Sequence, residues 1–171
     1  VSNHHLGTLL GQLMAAYEMN AFKDEYQKAV IENAKHFAKC LAGEGLDVAG
    51  DPSIGYTETH QVIVRVGYAR GPEIAKRLEE NNIICNYQAT PDEEGFTASG
   101  ALRMGVSEMT RFGFGEKEFA QLASLMADCI LRGKEIGPDV AKLRAQHLEM
   151  GYCFNDEQFE TALEKLAEKA L

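Results

Sequence analysis

The sequence predicts an α+β domain in which a small antiparallel sheet of about three strands is covered by helices. Helical and strand patterns follow one another in the order helix, strand, helix, strand, strand and then helices, which favours helices packed on one face of a sheet. Residues 59–66 place valines at every second position, as a half-buried strand does. Two further short runs, one from Ile83 to Gln88 and one carrying Arg103, are joined by a polar loop, which favours antiparallel neighbours.

The chain begins with a long helical pattern over residues 6–42, in two parts, which Gly43 and Gly45 end. Its first part, from Leu9 to Met19, is apolar on more than one face, which is typical of a helix buried in a larger structure or an oligomer interface. We therefore divide the chain into interface and connecting helices at 1–42 and an α+β small domain at 43–171. Because the chain opens on valine, we expect a processed protein or a fragment of a larger protein.

Later helices are predicted at 71–81, 116–133, 138–149 and 155–170. Pro72 stands in the first turn of the earliest of these, where its missing N–H is tolerated. In the last helix, Asn155 and Gln158 occupy the positions of a capping box. These helices provide the apolar faces that a small sheet needs for burial.

Composition limits the classes of function. The chain has 171 residues and a net charge of −9, and this acidity argues against nucleic acid as a partner. No apolar run approaches the length of a membrane span, so we expect no membrane partner. The four cysteines are widely spaced without a CxxC pair, which fits reduced thiols in a cytoplasmic protein better than a disulfide framework or a zinc site.

Arg103 is the strongest candidate site residue. On a strand it shares its face with Ala101 and Gly105, whose small side chains leave room for a ligand against the guanidinium. The planar fork of donors matches a carboxylate or phosphate in two parallel hydrogen bonds. The alternative, that Arg103 forms a structural ion pair or an edge-strand charge, stays open at this point.

The remaining polar residues predict no catalytic group and no metal site. His4 and His5 are adjacent, so their side chains point apart, and no carboxylate or cysteine cluster accompanies them. His60 is expected to be a hydrogen-bonded structural histidine, and the acidic run 92–94 a solvated turn. No lysine lies in an apolar context typical of a Schiff-base former. The residues alone therefore predict a binding domain with an anion site.

An ordered series of motifs resembles the C-terminal part of the serine hydroxymethyltransferase family, over nearly the whole chain. Thr59-His60 before a valine-rich strand is similar to the family's Asn-His and strand. The stretch GQLMAAYEM at 11–19 is similar to the family's helix after its cofactor lysine, and ICNYQATP at 84–91 is similar to the family's Thr-Val-Asn-Lys-Asn…Pro. The stretch TASGALRMG at 97–105 is similar to Thr-Ser-Gly-(Leu/Ile)-Arg-(Ile/Val)-Gly. The stretch MTRFGF at 109–114 is similar to Thr-x-Arg-Gly-Phe. The series is specific, whereas any one piece is weak.

The resemblance implies the small domain of a fold-type-I enzyme that uses pyridoxal phosphate to interconvert serine and glycine with tetrahydrofolate. It implies that Arg103 binds the substrate α-carboxylate and that Asn86 and Gln88 border the folate site. His4 and His5 stand near the place where the family reaches the cofactor phosphate of the neighbouring subunit. The Schiff-base lysine belongs to the family's large domain, so we expect this chain to be inactive alone and its enzyme to be a homodimer or higher homo-oligomer.

Two alternatives remain open from the sequence. The first is another fold-type-I lyase or aminotransferase in which Arg103 still binds the substrate carboxylate. The second is a non-catalytic binding or oligomerisation module.

Overall fold

The computed structural model describes residues 5–91, 93 and 98–170. The helices are α1 (Leu6–Gly43), α2 (Gly71–Glu80), α3 (Ser107–Arg111), α4 (Glu116–Arg132), α5 (Gly137–Arg144) and α6 (Asp156–Ala170). The strands are β1 (Asp47–Val48), β2 (Gln61–Arg65), β3 (Asn86–Gln88) and β4 (Ala101–Gly105), and Pro52–Ile54 forms a 3₁₀ turn. None of these helices, in the part of the chain that the structure describes, is long and apolar enough to cross a bilayer.

The strands form one antiparallel sheet in the order β1-β2-β4-β3, so the predicted α+β class and antiparallel sheet are confirmed. The sheet has four described strands rather than about three, because β1 has only two residues and is too short to show an alternating pattern. The strand β3, Asn86–Gln88, begins after the apolar residues of the run from Ile83 that predicted it. Ile84 of that run lies before β3 and is 88% exposed. Pairing with β4, rather than apolarity, defines β3.

One face of the sheet is buried and carries the core. Val62 and Val64 of β2 and Leu102 and Met104 of β4 are buried on this face. Side chains from α1, α2 and α4 cover it, among them Phe37, Leu41, Ile74, Leu78, Phe119 and Met126. Because strand side chains alternate, Arg103 and Gly105 face the other way and are exposed.

The helix α1 is continuous, although the sequence predicted two parts. Its second half packs into the core through Val30, Ala34, Phe37, Ala38 and Leu41. Its first half has a different character: Leu6, Leu9, Leu10, Leu13, Tyr17 and Met19 are all at least 36% exposed, while Met14 is buried. The division of the chain at residue 42 stays a prediction.

The chain after α5 is held by Arg111. The α5 helix ends at Arg144, five residues earlier than predicted, and the chain turns so that residues 150–154 reach α3 and α1. The Arg111 guanidinium donates to the carbonyls of Gly151, at 3.4 Å, and Tyr152, at 3.1 Å. Glu18 of α1 lies 3.5 Å from the same guanidinium and accepts from the Phe154 N–H at 3.0 Å. We call these contacts the Arg111 latch.

The other predicted helix boundaries agree closely with the structure. The helix α4 ends at Arg132, and Gly133 follows with a φ of +66°, a conformation that favours glycine. Asn155 and Gln158 exchange the two hydrogen bonds of the predicted capping box, at 3.1 and 2.9 Å. The short helix α3 was not predicted.

The Arg111 latch predicts a stability effect. Arg111→Met keeps the length of the side chain but leaves the Gly151 and Tyr152 carbonyls without this donor and the Glu18 carboxylate without its cationic partner, so we expect the free energy of unfolding to fall by about 2–3 kcal/mol. Urea unfolding measures this change, and protease cleavage between residues 145 and 155 should become faster. Arg70→Met removes an exposed arginine paired with Glu73 and is the matched control, with little expected change. Equal stability of the two variants would contradict the latch.

The exposed first half of α1 predicts that the chain by itself associates. Leu10 and Leu13, 48% and 36% exposed, lie on one stripe with Leu6 and Tyr17, and such contiguous apolar surface is rarely left open to water. The double variant Leu10→Glu/Leu13→Glu should weaken self-association at least about tenfold in sedimentation velocity, since it replaces apolar contacts by like charges.

Gln12→Glu/Asn20→Glu is the matched control on the same half-helix, because it adds the same charge without removing apolar surface. Its association should stay close to that of the unsubstituted chain. An unsubstituted chain that remains monomeric at high concentration would show this expectation to be wrong.

Candidate functional site

Arg103 lies in the middle of the sheet. It pairs with Ile63 of β2 on one side and with Asn86 of β3 on the other, so hydrogen-bonded strands flank it on both sides. Its side chain is on the exposed face, as the alternation predicted, while Leu102 and Met104 are buried on the opposite face. The backbone beneath this arginine is therefore held from both sides.

The guanidinium of Arg103 makes no hydrogen bond or ion pair with any other residue that the structure describes. This distinguishes it from the other arginines. Arg65 pairs with Asp47, Arg70 and Arg77 with Glu73, Arg111 with Glu18, and Arg132 with Glu44 and Asp128, while Arg144 donates to the His147 carbonyl and stacks on Phe112. Within the described chain, Arg103 is thus available to a ligand, and the alternative of a structural ion pair loses its support.

An open cavity of about 590 Å³ adjoins Arg103. It is lined by Arg103, Met104 and Gly105 of β4, by His60 and Gln61 at the start of β2, and by residues 84–86. Ala101, predicted to leave room beside the guanidinium, is fully buried, so the space lies on the Gly105 side only. We call this space the Arg103 cavity.

Among the described residues, the lining of the Arg103 cavity includes the donors Arg103, Gln61 and Asn86 and no aspartate or glutamate. Burial raises the pKa of the Cys85 thiol to about 11, so this cysteine is neutral near pH 7 and adds no negative charge. Asn86 lies opposite Arg103, and its own side-chain oxygen accepts from the Tyr87 N–H at 2.9 Å. The cavity is therefore electrostatically suited to an anion.

The loop that leads into β4 is held by Glu93. Its carboxylate accepts from the backbone N–H of Thr90, at 2.7 Å, and of Gly100, at 3.1 Å, so one side chain joins both ends of the loop. Any Cβ at Gly100 would collide with this carboxylate and with the Gly67 carbonyl, which explains the glycine there. Glu93 is thus a structural residue rather than part of a solvated turn, while Asp92 and Glu94 lie outside the described residues.

Of the other predicted site residues that it describes, the structure brings only one to the Arg103 cavity. Asn86 lines the Arg103 cavity, but Gln88 pairs with Ala101 and does not. His5 stands at the beginning of α1, and His4 lies outside the described residues. No group of three or more His, Cys, Asp or Glu side chains in the described ranges is placed to hold a metal ion.

His60 differs from its expected structural role. Its ring is exposed, makes no hydrogen bond with a described residue and lines the Arg103 cavity. Sequence reasoning missed it as a site residue because the alternation of 59–66 places it on the buried face with Val62 and Val64. The bend at residues 58–60 just before β2 is the feature that changes its direction.

Comparison with known proteins identifies the family. A family model described as serine hydroxymethyltransferase matches residues 2–126. The serine hydroxymethyltransferase of Pyrobaculum arsenaticum is 38% identical over 157 residues, which cover 90% of this chain and 36% of that protein. The corresponding protein of Saccharolobus islandicus is 38% identical and is matched by 100% of this chain, which covers 40% of its length.

A solved structure is similar as well. The crystal structure of L-threonine transaldolase from Pseudomonas fluorescens in the internal aldimine state superposes with a TM-score of 0.74 at 27% identity, over 88% of this chain and 36% of that one. The chain spans little more than a third of the length of these relatives. By the family match and the sequence identities, the chain belongs to the serine hydroxymethyltransferase family.

Proposed function

We propose that this chain is the substrate-carboxylate-binding, C-terminal part of an enzyme that uses pyridoxal phosphate to interconvert serine and glycine with tetrahydrofolate. The observation that carries the proposal is the guanidinium of Arg103, which has no polar partner among the described residues and adjoins a cavity whose described lining has no acidic residue. Membership of the family supports the transferase activity of the whole enzyme.

Arg103 orients the amino-acid substrate through its carboxylate. A carboxylate accepts two parallel hydrogen bonds from one guanidinium, and this fixes both the position and the plane of the ligand. With the carboxylate held in this way, rotation about the bond to Cα decides which Cα substituent is presented for reaction. The paired strands on both sides of Arg103 keep its backbone from shifting when the ligand binds.

The residues of the Arg103 cavity fit the amino acid and not the cofactor. As far as the structure describes it, the lining contains no lysine to attach an aldehyde and no carboxylate to pair with a ring nitrogen. Pyridoxal phosphate, when bound to the whole enzyme, supplies an electron sink for charge that develops at the substrate Cα. Its binding groups are therefore expected elsewhere in the enzyme, and we expect this chain to be inactive by itself.

Further parts of the proposal concern partners. Tetrahydrofolate is the proposed cosubstrate, and Asn86 and Gln88 are proposed to border its site, although of these two residues only Asn86 lines the Arg103 cavity. The enzyme is proposed to be a cytoplasmic homodimer or higher homo-oligomer in which His4 and His5 contact the cofactor region of a neighbouring subunit. The exposed apolar half of α1 supports burial against other parts of such an assembly.

A transaldolase-type reaction is the second candidate. The similarity to the L-threonine transaldolase, at a TM-score of 0.74, favours it. Arg103 would bind the amino-acid carboxylate in the same way, but the acceptor would be an aldehyde instead of folate. A non-catalytic binding module is the remaining alternative, and the absence of cofactor uptake by any form of the protein would support it.

The role of Arg103 predicts a selective loss of binding. In the cofactor-loaded enzyme, Arg103→Ala should weaken glycine and L-serine binding at least about thirtyfold, because removal of one member of a hydrogen-bonded charge pair costs about 2–5 kcal/mol. Titrations followed by the absorbance of the cofactor measure both cofactor and amino-acid affinity. Cofactor affinity should be unchanged.

Two further variants sharpen this test. Arg103→Lys keeps the charge but loses the planar fork, so its affinity should lie between those of the alanine variant and the unsubstituted enzyme. Arg70→Ala removes an arginine that is paired with Glu73 outside the Arg103 cavity, and its amino-acid affinity should be unchanged. Unaltered glycine binding by Arg103→Ala would exclude the proposed role.

The proposed role of tetrahydrofolate predicts changes in serine cleavage and in the KM for folate, but no change in the Kd of glycine. Serine cleavage should accelerate at least about tenfold with tetrahydrofolate, and Asn86→Ala should raise the KM for folate several-fold by removing a hydrogen-bonding group, while the Kd of glycine stays the same. Steady-state kinetics and glycine titration provide the two values. Serine cleavage that requires an added aldehyde and ignores tetrahydrofolate would instead favour the transaldolase-type reaction.

A further inference from the structure

A second open cavity, of about 470 Å³, lies between α1, α3 and the segment 149–152 that the Arg111 latch holds. It is lined by Ala29, Glu32 and Asn33 of α1, by Thr110 and Arg111 of α3, and by residues 113–115 and 149–152. None of these lining residues belongs to the Arg103 cavity. We call this space the Asn33 cavity, and a ligand in it would bind separately from one at Arg103.

Asn33 is a buried polar residue whose amide is satisfied on one side only. The residue is 7% exposed, and its Nδ2 donates to the Thr110 hydroxyl at 3.0 Å and to the Phe114 carbonyl at 2.9 Å, which uses both amide hydrogens. The Thr110 hydroxyl itself donates to the Val106 carbonyl at 2.8 Å, so it can only accept from Asn33. The Asn33 Oδ1 accepts no hydrogen bond from a described residue and is not sealed from solvent, so it opens into the cavity.

The main hydrogen-bond donors around the Asn33 cavity are already engaged. The Arg111 guanidinium is shared between two carbonyls and the Glu18 carboxylate of the latch. The backbone N–H groups of residues 113–115 and of Gly151 donate to oxygens of the protein at distances between 2.6 and 3.1 Å. An anion, which needs donors, would therefore find few of them unused here.

The acceptors of the Asn33 cavity, in contrast, are left over. Glu32 and Glu149 are both exposed lining residues. Glu149 has no ion pair with any residue that the structure describes, and Glu32 has only a weak one, since its carboxylate lies 4.0 Å from the exposed ammonium of Lys28. The described chain brings no three His, Cys, Asp or Glu side chains together around a metal ion. A cation that brings its own N–H donors therefore fits this lining better than a metal ion does.

We propose that the Asn33 cavity binds a small organic ligand through a primary ammonium group, which donates to Asn33 Oδ1 and is attracted by Glu32 and Glu149. An ammonium has three donors and no acceptor, which is the complement of a lining with unused acceptors. The alkyl part of the ligand would lie against the apolar atoms of Ala29 and Met150. The inference does not depend on the proposed role of Arg103, because the two cavities have separate linings.

The probe is n-butylammonium chloride, titrated into the chain of 171 residues without pyridoxal phosphate, because a primary amine also reacts with the aldehyde of the cofactor. In heteronuclear NMR spectra, the side-chain amide of Asn33 and the backbone N–H of Gly151 should shift with one Kd. The anion n-butyrate, with a carbon chain of the same length, should cause no shift. Tetramethylammonium carries the charge without an N–H group and should bind at least about fivefold more weakly.

Variants of the chain locate the site. Glu32→Gln/Glu149→Gln removes both charges at exposed positions and should raise the Kd of n-butylammonium at least about fivefold. Glu25→Gln/Glu160→Gln is the matched control, because it removes the same charge from exposed positions outside the cavity, and its Kd should be unchanged. Asn33→Ala should weaken binding at least about tenfold. Urea unfolding shows whether Asn33→Ala is folded, and if it is not, the glutamine variants decide the test.

Three results would overturn the inference. The first is a titration in which n-butylammonium leaves the Asn33 side-chain amide unshifted. The second is equal binding of tetramethylammonium, which would show attraction of charge without a hydrogen bond. The third is an equal loss in the two double glutamine variants, because the general negative charge of the chain would then attract the probe. The carboxylate site is tested by Arg103→Ala with glycine, so the two proposals can fail independently.

Discussion

The pairing of β4 with β2 and β3 is the constraint on which the candidate site depends. Alternation along β4 buries Leu102 and Met104 and so requires Arg103 to face outward. A slip of one residue in this register would place the guanidinium in the core and two apolar side chains in water. Burial of the core face therefore determines the orientation of the charged group on the opposite face, and the binding site is a consequence of how the sheet packs.

The contacts that determine the start of β4 come from outside the strand. Glu93 joins both ends of the preceding loop, and the absence of a side chain at Gly100 allows its carboxylate to approach. This carboxylate is occupied by backbone N–H groups and does not line the Arg103 cavity. In a chain with a net charge of −9, a cavity whose described lining has an arginine and no acidic residue is attractive to anions.

The secondary structure and orientation of residues that follow a regular period could be predicted from the sequence. Where tertiary contacts determine them, they could not. The orientation of Arg103, the α4 helix and the cap of α6 follow from local patterns, and all agree with the structure. The strand β1 has two residues, and β3 is defined by its partner, so neither carries a periodic signal. His60 escaped prediction for a related reason: a bend before β2 turns its ring, and no alternation describes a bend.

Replacement of Arg103 should affect ligand binding alone, whereas replacement of Glu93 should affect both the fold and the binding site. Arg103 makes no polar contact with the described residues, so its replacement should alter ligand affinity with little change in the free energy of unfolding. Loss of Glu93 would leave two backbone N–H groups without their acceptor and would disturb the loop and the strand together. His60 belongs with Arg103, because its backbone is hydrogen-bonded while its ring makes no hydrogen bond with a described residue. Side chains that contribute little to folding yet stand on a rigid backbone are where selection for ligand binding can act without penalty to the fold.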